Sequence, residues 1–268
     1  MKLKILTKQG TEKGSMDLPS QFNELIRADI IKRAVLSLKS IKRQPYGADP
    51  EAGKKASARI SKRRRDYKGC YGHGIARTPR KILSRRGTQF NWAGAFAPNT
   101  VGGRRAHPPK AEKNWIQKIN KKERRKAIRS AIAATINKEL VKERGHAIPD
   151  NYPFVLESGL ESLDKTKQVI EFFNKIGFEK ELERSSKKTI RAGRGKLRGR
   201  KYKKTIGPLL VVSKECKLEK AARNIPGINI VKVNALNAEI LAPGAAPGRA
   251  ALFTQAALEK LEKEKLFM

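Results

Sequence analysis

The sequence predicts an α/β fold, in which a single globular domain with a mostly parallel sheet between helices carries a very long basic loop inserted in its first half. Strand-like and helix-like patterns alternate through the second half, which is typical of a three-layer parallel sheet covered by helices. Apolar residues recur with helical spacing on both sides of a 69-residue interval that has no sustained period. We therefore expect residues 1–41 and 111–268 to form the globular domain and residues 42–110 to form the extended loop.

Short apolar patterns define the elements of the first half. Residues 2–7 predict a first strand, and residues 30–38 predict an amphipathic helix of about three turns. After the interval, Ile128, Ile132, Ile136 and Leu140 recur every four residues. This stripe predicts one helix that begins near Lys121 and ends at Gly145, because glycine is a common residue after the last helical turn. We expect this helix to pack against the first one.

The second half predicts a series of strands and helices in alternation. The expected order is a strand at 154–156, a helix after Asp164 that ends at Gly177, a strand at 208–213, a helix at 218–223, a strand at 228–233, a short helix near Leu236, a turn-rich linker at 243–249 and a last helix after Thr254. Asp164 and Thr254 are the predicted N-caps, since their side-chain oxygens can accept a backbone N–H. A second basic, glycine-rich excursion, residues 187–204, interrupts the series.

Positive charge is concentrated in two segments of the chain. The chain has 268 residues, 61 Lys+Arg against 25 Asp+Glu, and a formal net charge of +36. Residues 42–110 hold 18 basic and 3 acidic residues, residues 187–204 hold 10 basic and no acidic ones, and together they carry 25 of the 36 net charges. Such a charge requires a polyanion to balance it. A generally basic surface is the alternative, and the uneven distribution argues against it.

The composition of residues 42–110 predicts that this segment is either disordered or ordered by something external. It has too few apolar residues to offset the entropy lost on ordering. Its aromatic residues have two interpretations, stacking on unpaired bases or packing locally within the loop: Tyr67, Tyr71, Phe90, Trp92 and Phe96. Two extended arms of about 34 residues could reach on the order of 100 Å. A loop of that reach can thread the interior of a folded RNA, whereas duplex DNA offers no interior.

Arginine and lysine side chains of both basic segments are the predicted RNA contacts, because a guanidinium group matches the geometry of a phosphate and also stacks on bases. The predicted RNA-binding residues are Arg43, Arg59, Lys62, Arg63, Arg64, Arg65, Lys68, Arg104, Arg105, Arg191, Arg194, Lys196, Arg198 and Arg200.

Several patterns suggest other chemistry but are incomplete. Cys70 and His73 have a ligand-like spacing, but a zinc site needs four ligands and no second pair is nearby. Residues 193–199 are rich in glycine but lack the ending of a phosphate-binding loop. The histidines have no triad partners, and no apolar run approaches the roughly 20 residues of a membrane-spanning helix. Two distant cysteines fit a reducing cytoplasm. We expect no catalytic residues, cofactor, metal or membrane.

Two further function classes remain as alternatives. An RNA-modifying or nucleotide-dependent enzyme with a doubly wound domain would need a glycine-rich turn directly after the first strand, and residues 8–14 have only two scattered glycines. A chromatin-type DNA binder would share the basic composition. Competition between duplex DNA and folded RNA would separate this class from an RNA-binding protein.

Specific strings in both halves resemble a known family. The strings are Arg191–Arg200 (RAGRGKLRGR), Ala222–Ile228 (ARNIPGI), Leu241–Gly244 (LAPG) with Gly248-Arg249, Tyr71–Arg80 (YGHGIARTPR), Gly94–Phe96 (GAF) and Gly102–Arg105 (GGRR). Their order and spacing resemble the archaeal and eukaryotic form of the family of universal large-subunit ribosomal protein four, over nearly the whole chain. The chain stops at Met268 without the long basic tail of eukaryotic members, which indicates the archaeal type.

The resemblance implies a cytoplasmic, non-enzymatic protein of the large ribosomal subunit that binds rRNA early in assembly. Its expected partners are large-subunit (23S-type) rRNA, neighbouring large-subunit ribosomal proteins and the nascent polypeptide, without a homo-oligomer. In this family the loop threads rRNA and its apex helps to line the exit tunnel at the constriction. The expected apex lies within residues 71–94. Its expected residues are Gly72, Gly74, Arg77 and Arg80, which follow the family motif, together with Arg85, Arg86, Phe90 and Trp92. The stretch from Arg85 to Trp92 departs from the family's more glycine-rich apex.

Overall fold

A six-stranded sheet with helices on both faces organises the larger of two structural units. The structure is a computed structural model that describes residues 1–268. Residues 1–42 and 116–268 form the first unit, and residues 43–115 form the second.

The elements have the following bounds. The strands are β1 (Lys2–Leu6), β2 (Glu12–Asp17), β3 (Arg80–Arg86), β4 (Gln89–Gly94), β5 (Val155–Leu156), β6 (Lys188–Ile190), β7 (Tyr202–Lys204), β8 (Leu209–Val212), β9 (Asn229–Lys232) and β10 (Ala251–Thr254). The helices are α1 (Ala28–Ile41), α2 (Lys121–Ile136), α3 (Lys138–Glu143), α4 (Thr166–Lys175), α5 (Glu179–Ser186), α6 (Lys217–Ala222), α7 (Ala238–Leu241) and α8 (Gln255–Lys263).

The central sheet has the strand order β2-β1-β5-β10-β8-β9. Only β1 and β2 pair antiparallel, and the other neighbours pair parallel. All four residues of β8 are buried, as expected for a parallel strand that helices cover on both sides. The predicted α/β class with a mostly parallel sheet is therefore confirmed.

Two apolar cores lie on opposite faces of the sheet. Leu209 and Val211 belong to one core, which also contains residues of α1, α2 and α8. Leu210 and Val212 belong to the other, with residues of α4 and α6. This alternation follows from the two-residue period of a strand. The predicted packing of α1 on α2 is confirmed, and the N–H of Arg27 also donates to Ser130 Oγ at 2.7 Å.

Helix boundaries differ from the sequence prediction at two places. The predicted helix from Lys121 to Gly145 is broken, because Asn137 leaves the helical conformation and its side chain accepts the N–H groups of Glu139 and Leu140. The Asp164 N-cap is also wrong, since α4 begins two residues later without a side-chain cap. At α8 the prediction is confirmed: Thr254 Oγ1 accepts the N–H of Ala257 at 3.3 Å.

Besides the strands β6 and β7 of residues 187–204, three elements of the first unit have no predicted counterpart. Strand β10 is four buried residues that lie between β5 and β8, and the sequence pattern predicts no element between the linker at 243–249 and Thr254. Helix α5 has a short and strongly charged sequence. Strand β2 is an exposed edge strand, and its pairing with β1, with an ion pair between Lys4 and Glu12 at 2.6 Å, depends on the turn between them.

The second unit contains an antiparallel hairpin of β3 and β4. No pattern in the sequence predicts this hairpin, because charged residues occupy both faces of β3 and only Phe90 and Trp92 alternate on β4. Its apolar core is minimal, with Cys70 and Ala95 as the buried apolar residues of residues 43–115. The unit therefore has local structure but little of the burial that stabilises a domain.

Candidate nucleic-acid interface

The β3–β4 hairpin organises the second unit. Six residue pairs join the strands, from Arg80 opposite Gly94 to Arg86 opposite Gln89, and a bulge interrupts the register near Leu83. Gly87 has a φ of 54° in the connecting turn, where glycine avoids the strain of a Cβ. Arg59 adds a further antiparallel bridge to Arg80. The hairpin therefore aligns arginines on short, defined backbone segments.

Three aromatic rings form a cluster beside the hairpin. The rings of Phe90 and Trp92 have centroids 5.2 Å apart, and Tyr67 meets Phe90 edge-on at 5.6 Å. The guanidinium of Arg80 lies 5.5 Å from the centroid of Trp92, and Arg85 donates to Tyr67 Oη at 3.3 Å. The sequence leaves two interpretations of these aromatic residues, base stacking and local packing. The contacts among these three rings are local packing. Phe90 and Trp92 nevertheless remain only half-buried.

Residues at the two ends of the second unit form a stacked group. The rings of Tyr46 and Trp115 stack with centroids 5.4 Å apart. Arg43 lies 3.8 Å and Lys113 lies 4.4 Å from the Trp115 ring centroid, both within the range of cation–π attraction. The N–H of Ala48 also donates to the carbonyl of Pro109. These contacts bring the two ends of the segment together, and they occupy Arg43, one of the predicted RNA contacts.

A tight turn follows β4. Phe96 has a φ of 65°, and its carbonyl accepts the N–H of Arg104 at 3.2 Å. The Arg104 guanidinium lies 5.2 Å from the Phe96 ring centroid. Inside the turn, a Cβ on Gly103 would overlap the carbonyl oxygen of Ala97 and lie 2.5 Å from Thr100 Oγ1. The turn therefore requires glycine at position 103 because the backbone approaches closely there.

We expect Gly103→Ala to open this turn. Overpacking of this kind costs about 1–3 kcal/mol, so hydrogen–deuterium exchange at the Arg104 amide should rise by about tenfold or more. Gly14→Ala is the matched control, because nothing lies within 4 Å of a Cβ at Gly14. Unchanged exchange at Arg104 in the Gly103 variant would contradict the close approach.

The predicted apex residues have different environments. Gly72 and Gly74 have φ angles of 76° and 63°, which suit glycine. Arg77 lies over the ring of Tyr71 at 4.7 Å. Arg80 is half-buried and donates to the carbonyls of Ala76 and Thr78 at 2.6 and 3.2 Å. The Arg80 side chain thus braces the unit, whereas Arg85 and Arg86 are exposed.

Most of the predicted RNA contacts present exposed side chains. The exposed ones are Arg43, Arg59, Lys62, Arg63, Arg64, Arg65, Arg104, Arg105, Arg194, Lys196, Arg198 and Arg200. Lys68 and Arg191 are half-buried, and Arg191 Nε donates to the Arg200 carbonyl at 3.1 Å. The structure brings Arg63, Arg64 and Arg65 together on one exposed turn of the second unit, next to Asp66.

The second basic segment is a hairpin on the first unit. Strands β6 and β7 pair antiparallel, with Ile190 opposite Tyr202, and all their residues are exposed. The connecting segment contains Gly193 and Gly199 with φ angles of 75° and 74°. We call residues 187–204 the basic arm. It presents its positive charge, together with the apolar side chains of Ile190, Leu197 and Tyr202, without a covering element.

A buried polar network holds the base of the basic arm. The fully buried carboxylate of Glu181 accepts hydrogen bonds from Arg184 at 2.6 and 2.7 Å and from the N–H of Ala147 at 2.9 Å, and it contacts His146 Nδ1 at 2.7 Å. Arg184 also donates to the carbonyl of Ile206, just after the arm, at 2.8 Å. Burial raises the pKa of Glu181, but the hydrogen bonds from Arg184 and His146 outweigh it and hold the pKa below its ordinary value.

The discounted motifs remain unassembled in the structure. Cys70 is buried while His73 is exposed, and no three His, Cys, Asp or Glu side chains are grouped in a way that could hold a metal ion. None of the eight helices combines the length and apolar character needed to cross a membrane.

Comparison with protein families gives one match that spans most of the chain. Residues 16–264 match the profile described as the ribosomal protein L4/L1 family. The chain belongs to the ribosomal protein L4/L1 family. Membership in a family of structural ribosomal proteins agrees with the prediction that the chain is not an enzyme.

Relatives of the L4/L1 family extend the similarity to the full length. The chain is 52% identical to the large ribosomal subunit protein uL4 of Nanoarchaeum equitans over 268 residues, which covers 100% of both chains. It is 48% identical to uL4 of Archaeoglobus fulgidus over 265 residues, with 97% of this chain and 98% of the relative covered. It is 45% identical to uL4 of Methanopyrus kandleri, with 98% of each covered. The predicted resemblance, of the archaeal type, is confirmed.

One residue of the L4/L1 family strings serves the fold of this chain. Arg249 is 2% exposed and donates to the carbonyl of Gly207 at 3.0 Å, to that of Ile240 at 2.9 Å and to Asn229 Oδ1 at 2.6 Å. Burial, reinforced by Arg144, lowers the pKa of Arg249 to about 10. Arg249 therefore stays charged at neutral pH and joins the segment before β10 to the segment before β8, to α7 and to the first residue of β9. Neither Arg249 nor Glu181 was predicted as a functional or structural site from the sequence.

Proposed function

We propose that the chain is a structural constituent of the large ribosomal subunit that binds large-subunit rRNA early in assembly. In this proposal, residues 42–110 thread into the rRNA and residues 71–94 help to line the nascent-polypeptide exit tunnel. The remaining residues form the globular part on the subunit surface, beside neighbouring large-subunit proteins. The names of the archaeal relatives support a place in the large ribosomal subunit. The family resemblance supports early rRNA binding and the threading and tunnel roles.

The observation that carries the proposal is a positively charged unit with almost no apolar core. Residues 42–110 hold 18 basic and 3 acidic residues, and only Cys70 and Ala95 are buried apolar residues in the second unit. Exposed arginines such as Arg63, Arg64 and Arg65 are free to bind phosphates. RNA would neutralise this charge and supply the surroundings that the unit lacks, so the two would order each other during assembly.

The basic arm supplies a second phosphate-binding surface. It holds 10 basic residues and no acidic one, and the network of Glu181 and Arg184 fixes the base of the arm on the first unit. Arg194, Lys196 and Arg198 lie on its exposed connecting turn. An arm held at its base loses less conformational entropy on binding than a free peptide of the same sequence. We therefore expect the arm to contribute to rRNA affinity independently of residues 42–110.

Replacement of Arg63, Arg64 and Arg65 together by glutamine tests the phosphate contacts. The affinity for a large-subunit rRNA fragment should fall for every fragment that the wild type binds. The slope of log affinity against log salt should become shallower by about 2, at about 0.7 per lost phosphate contact. Filter binding over a salt series measures both quantities.

A matched triple variant controls for lost charge in general. Lys217, Lys220 and Arg223 are exposed on or next to α6 of the first unit. Their replacement by glutamine also removes three positive charges. We expect this control to change affinity and salt slope much less. Equal effects of the two triple variants would show that charge alone, and not its position, drives binding.

A further inference from the structure

The second unit contains a cavity. It has a volume of about 370 Å³ and is lined by Asp66, Tyr67, Lys68, Gly69, His73, Ile75, Thr88, Phe90 and Trp92. This volume is near the lower end of the roughly 300–1,000 Å³ that is common for small-ligand sites. Every lining residue belongs to residues 43–115, so the cavity is formed within one unit.

Aromatic rings form one side of the cavity. Phe90 and Trp92 are two residues apart on β4 and so share one face of the strand. Their rings lie 5.2 Å apart with an interplanar angle of 32°, and both are half-buried. Tyr67, which is 59% exposed, meets Phe90 edge-on. This part of the lining gives a planar ligand aromatic rings to contact.

The lining also includes a carboxylate, Asp66, together with the cationic Lys68. Asp66 is the sole acidic residue between Glu51 and Glu112. Its carboxylate is oriented by Ser61 Oγ at 2.5 Å and by the N–H of Tyr67 at 2.8 Å. These two hydrogen bonds lower the pKa of Asp66, so the group is ionised at neutral pH. Each carboxylate oxygen keeps a lone pair for a further donor.

This combination of groups selects among the chemical classes of ligand. A carboxylate in the wall disfavours a phosphate group, and the charged Asp66 and Lys68 disfavour an apolar peptide. A nucleobase matches both the aromatic rings and the carboxylate of the lining, because it has a flat π-face for the rings and N–H groups for the carboxylate. Guanine presents two adjacent N–H groups on its Watson–Crick edge, which suit the two oxygens of a carboxylate.

We propose that this cavity binds one unstacked nucleobase of an RNA strand, with guanine preferred, through stacking beside Phe90 and Trp92 and hydrogen bonds to Asp66. The inference rests on the proposed rRNA-binding function and gives it a base-specific contact. Arg63, Arg64 and Arg65 directly precede Asp66 and are exposed. They are placed to hold the phosphates on either side of the inserted nucleotide.

Asp66→Asn separates this proposal from general electrostatics by the sign of its effect. If Asp66 only reduces the positive field, its neutralisation strengthens RNA binding. If it accepts N–H groups of a base, the amide weakens binding, by about tenfold for one good base contact. Asn can still accept the N–H of Tyr67 through Oδ1 and can donate from Nδ2 to Ser61 Oγ. The control is Asp49→Asn, which removes an exposed carboxylate of the same unit outside the cavity.

The experiment measures the affinity of the full chain for large-subunit rRNA and the chemical reactivity of each base in the complex. We expect the wild type to protect a guanine N1 position that becomes reactive again with Asp66→Asn and with Trp92→Leu, while Asp49→Asn binds at least as tightly as the wild type. The proposal is overturned if Asp66→Asn binds more tightly, or if both cavity variants keep the wild-type protection. Protection lost only from an adenine, cytosine or uracil would overturn the guanine preference.

Two further results separate the alternatives. In the first result, the wild type binds rRNA with a steep salt dependence, but no protected base depends on Asp66. This result contradicts the nucleobase site and leaves the proposed function standing. In the second result, the wild type shows no salt-dependent rRNA binding, which contradicts the proposed function itself. A titration with guanosine monophosphate tests the free-nucleotide source: we expect no saturation below about millimolar concentration, because stacking on one base is worth only about 1–3 kcal/mol. Saturation at micromolar concentration would overturn an RNA base as the ligand.

Discussion

The affinity of the chain for large-subunit rRNA should fall about 10³- to 10⁵-fold when the salt concentration is raised from about 50 to about 200 mM. This range applies to proteins that neutralise about six to ten phosphates. The exposed basic side chains of residues 42–110 and of the basic arm exceed that number. These side chains have few acidic partners within the same segments, so they can pair with RNA phosphates. Dissolved salt ions compete with that pairing.

The control for this prediction is the stability of the protein across the same salt range. The first unit has two apolar cores that do not depend on surface charge, so its free energy of unfolding should change little between the two salt concentrations. Urea unfolding monitored by circular dichroism measures it. An affinity that barely changes with salt, in a protein that stays folded, would contradict charge neutralisation as the mechanism.

Glu181→Ala should lower the free energy of unfolding by about 3–5 kcal/mol, the usual effect of removing one partner of a buried ion pair. The Glu181 carboxylate is fully buried and receives hydrogen bonds from Arg184 and the N–H of Ala147. Its removal leaves these donors, and the ring of His146, without their acceptor in the interior. Glu183→Ala is the matched control, because Glu183 is exposed on the same helix. Equal stability of the two variants in urea unfolding would contradict the network.

The pH dependence of stability gives the same network a second readout. The pKa of Glu181 lies below its ordinary value of 4.5 in the folded chain. The unfolded chain therefore takes up the proton first, and the stabilisation is present above pH 4.5 and disappears as the pH falls through the folded pKa. We expect the free energy of unfolding to decrease below about pH 4.5 in the wild type, and less steeply in Glu181→Gln.

The parts of the fold that the sequence predicts are those in which local pattern and burial agree. The apolar run Leu209–Val212 is continuous, which predicts a strand covered on both faces. Polar or turn-forming residues on either side of the run mark the ends of the strand. At Asn137 the apolar stripe continues into Leu140, so periodicity predicts one helix, whereas the Asn137 side chain caps a new one. The difference depends on a single rotamer and its hydrogen bonds, which an apolar pattern does not report.

The candidate site shows a similar division between composition and geometry. A charge count identifies residues 42–110 and the basic arm, but it treats every arginine as equally available. In the structure Arg80 braces backbone carbonyls, and Arg249 is buried in the first unit. The cavity beside Asp66 also depends on contacts between residues more than 20 positions apart, from Tyr67 to Phe90. Such long-range contacts follow from chain pairing and cannot be read from local sequence.

The most direct test of rRNA threading is the course of residues 43–115 in the density of the intact ribosome. We expect rRNA to surround this segment, with Arg63, Arg64 and Arg65 at phosphates and residues 71–94 at the wall of the exit tunnel. A segment that lies on the solvent face of the subunit, without rRNA around it, would contradict the proposed threading.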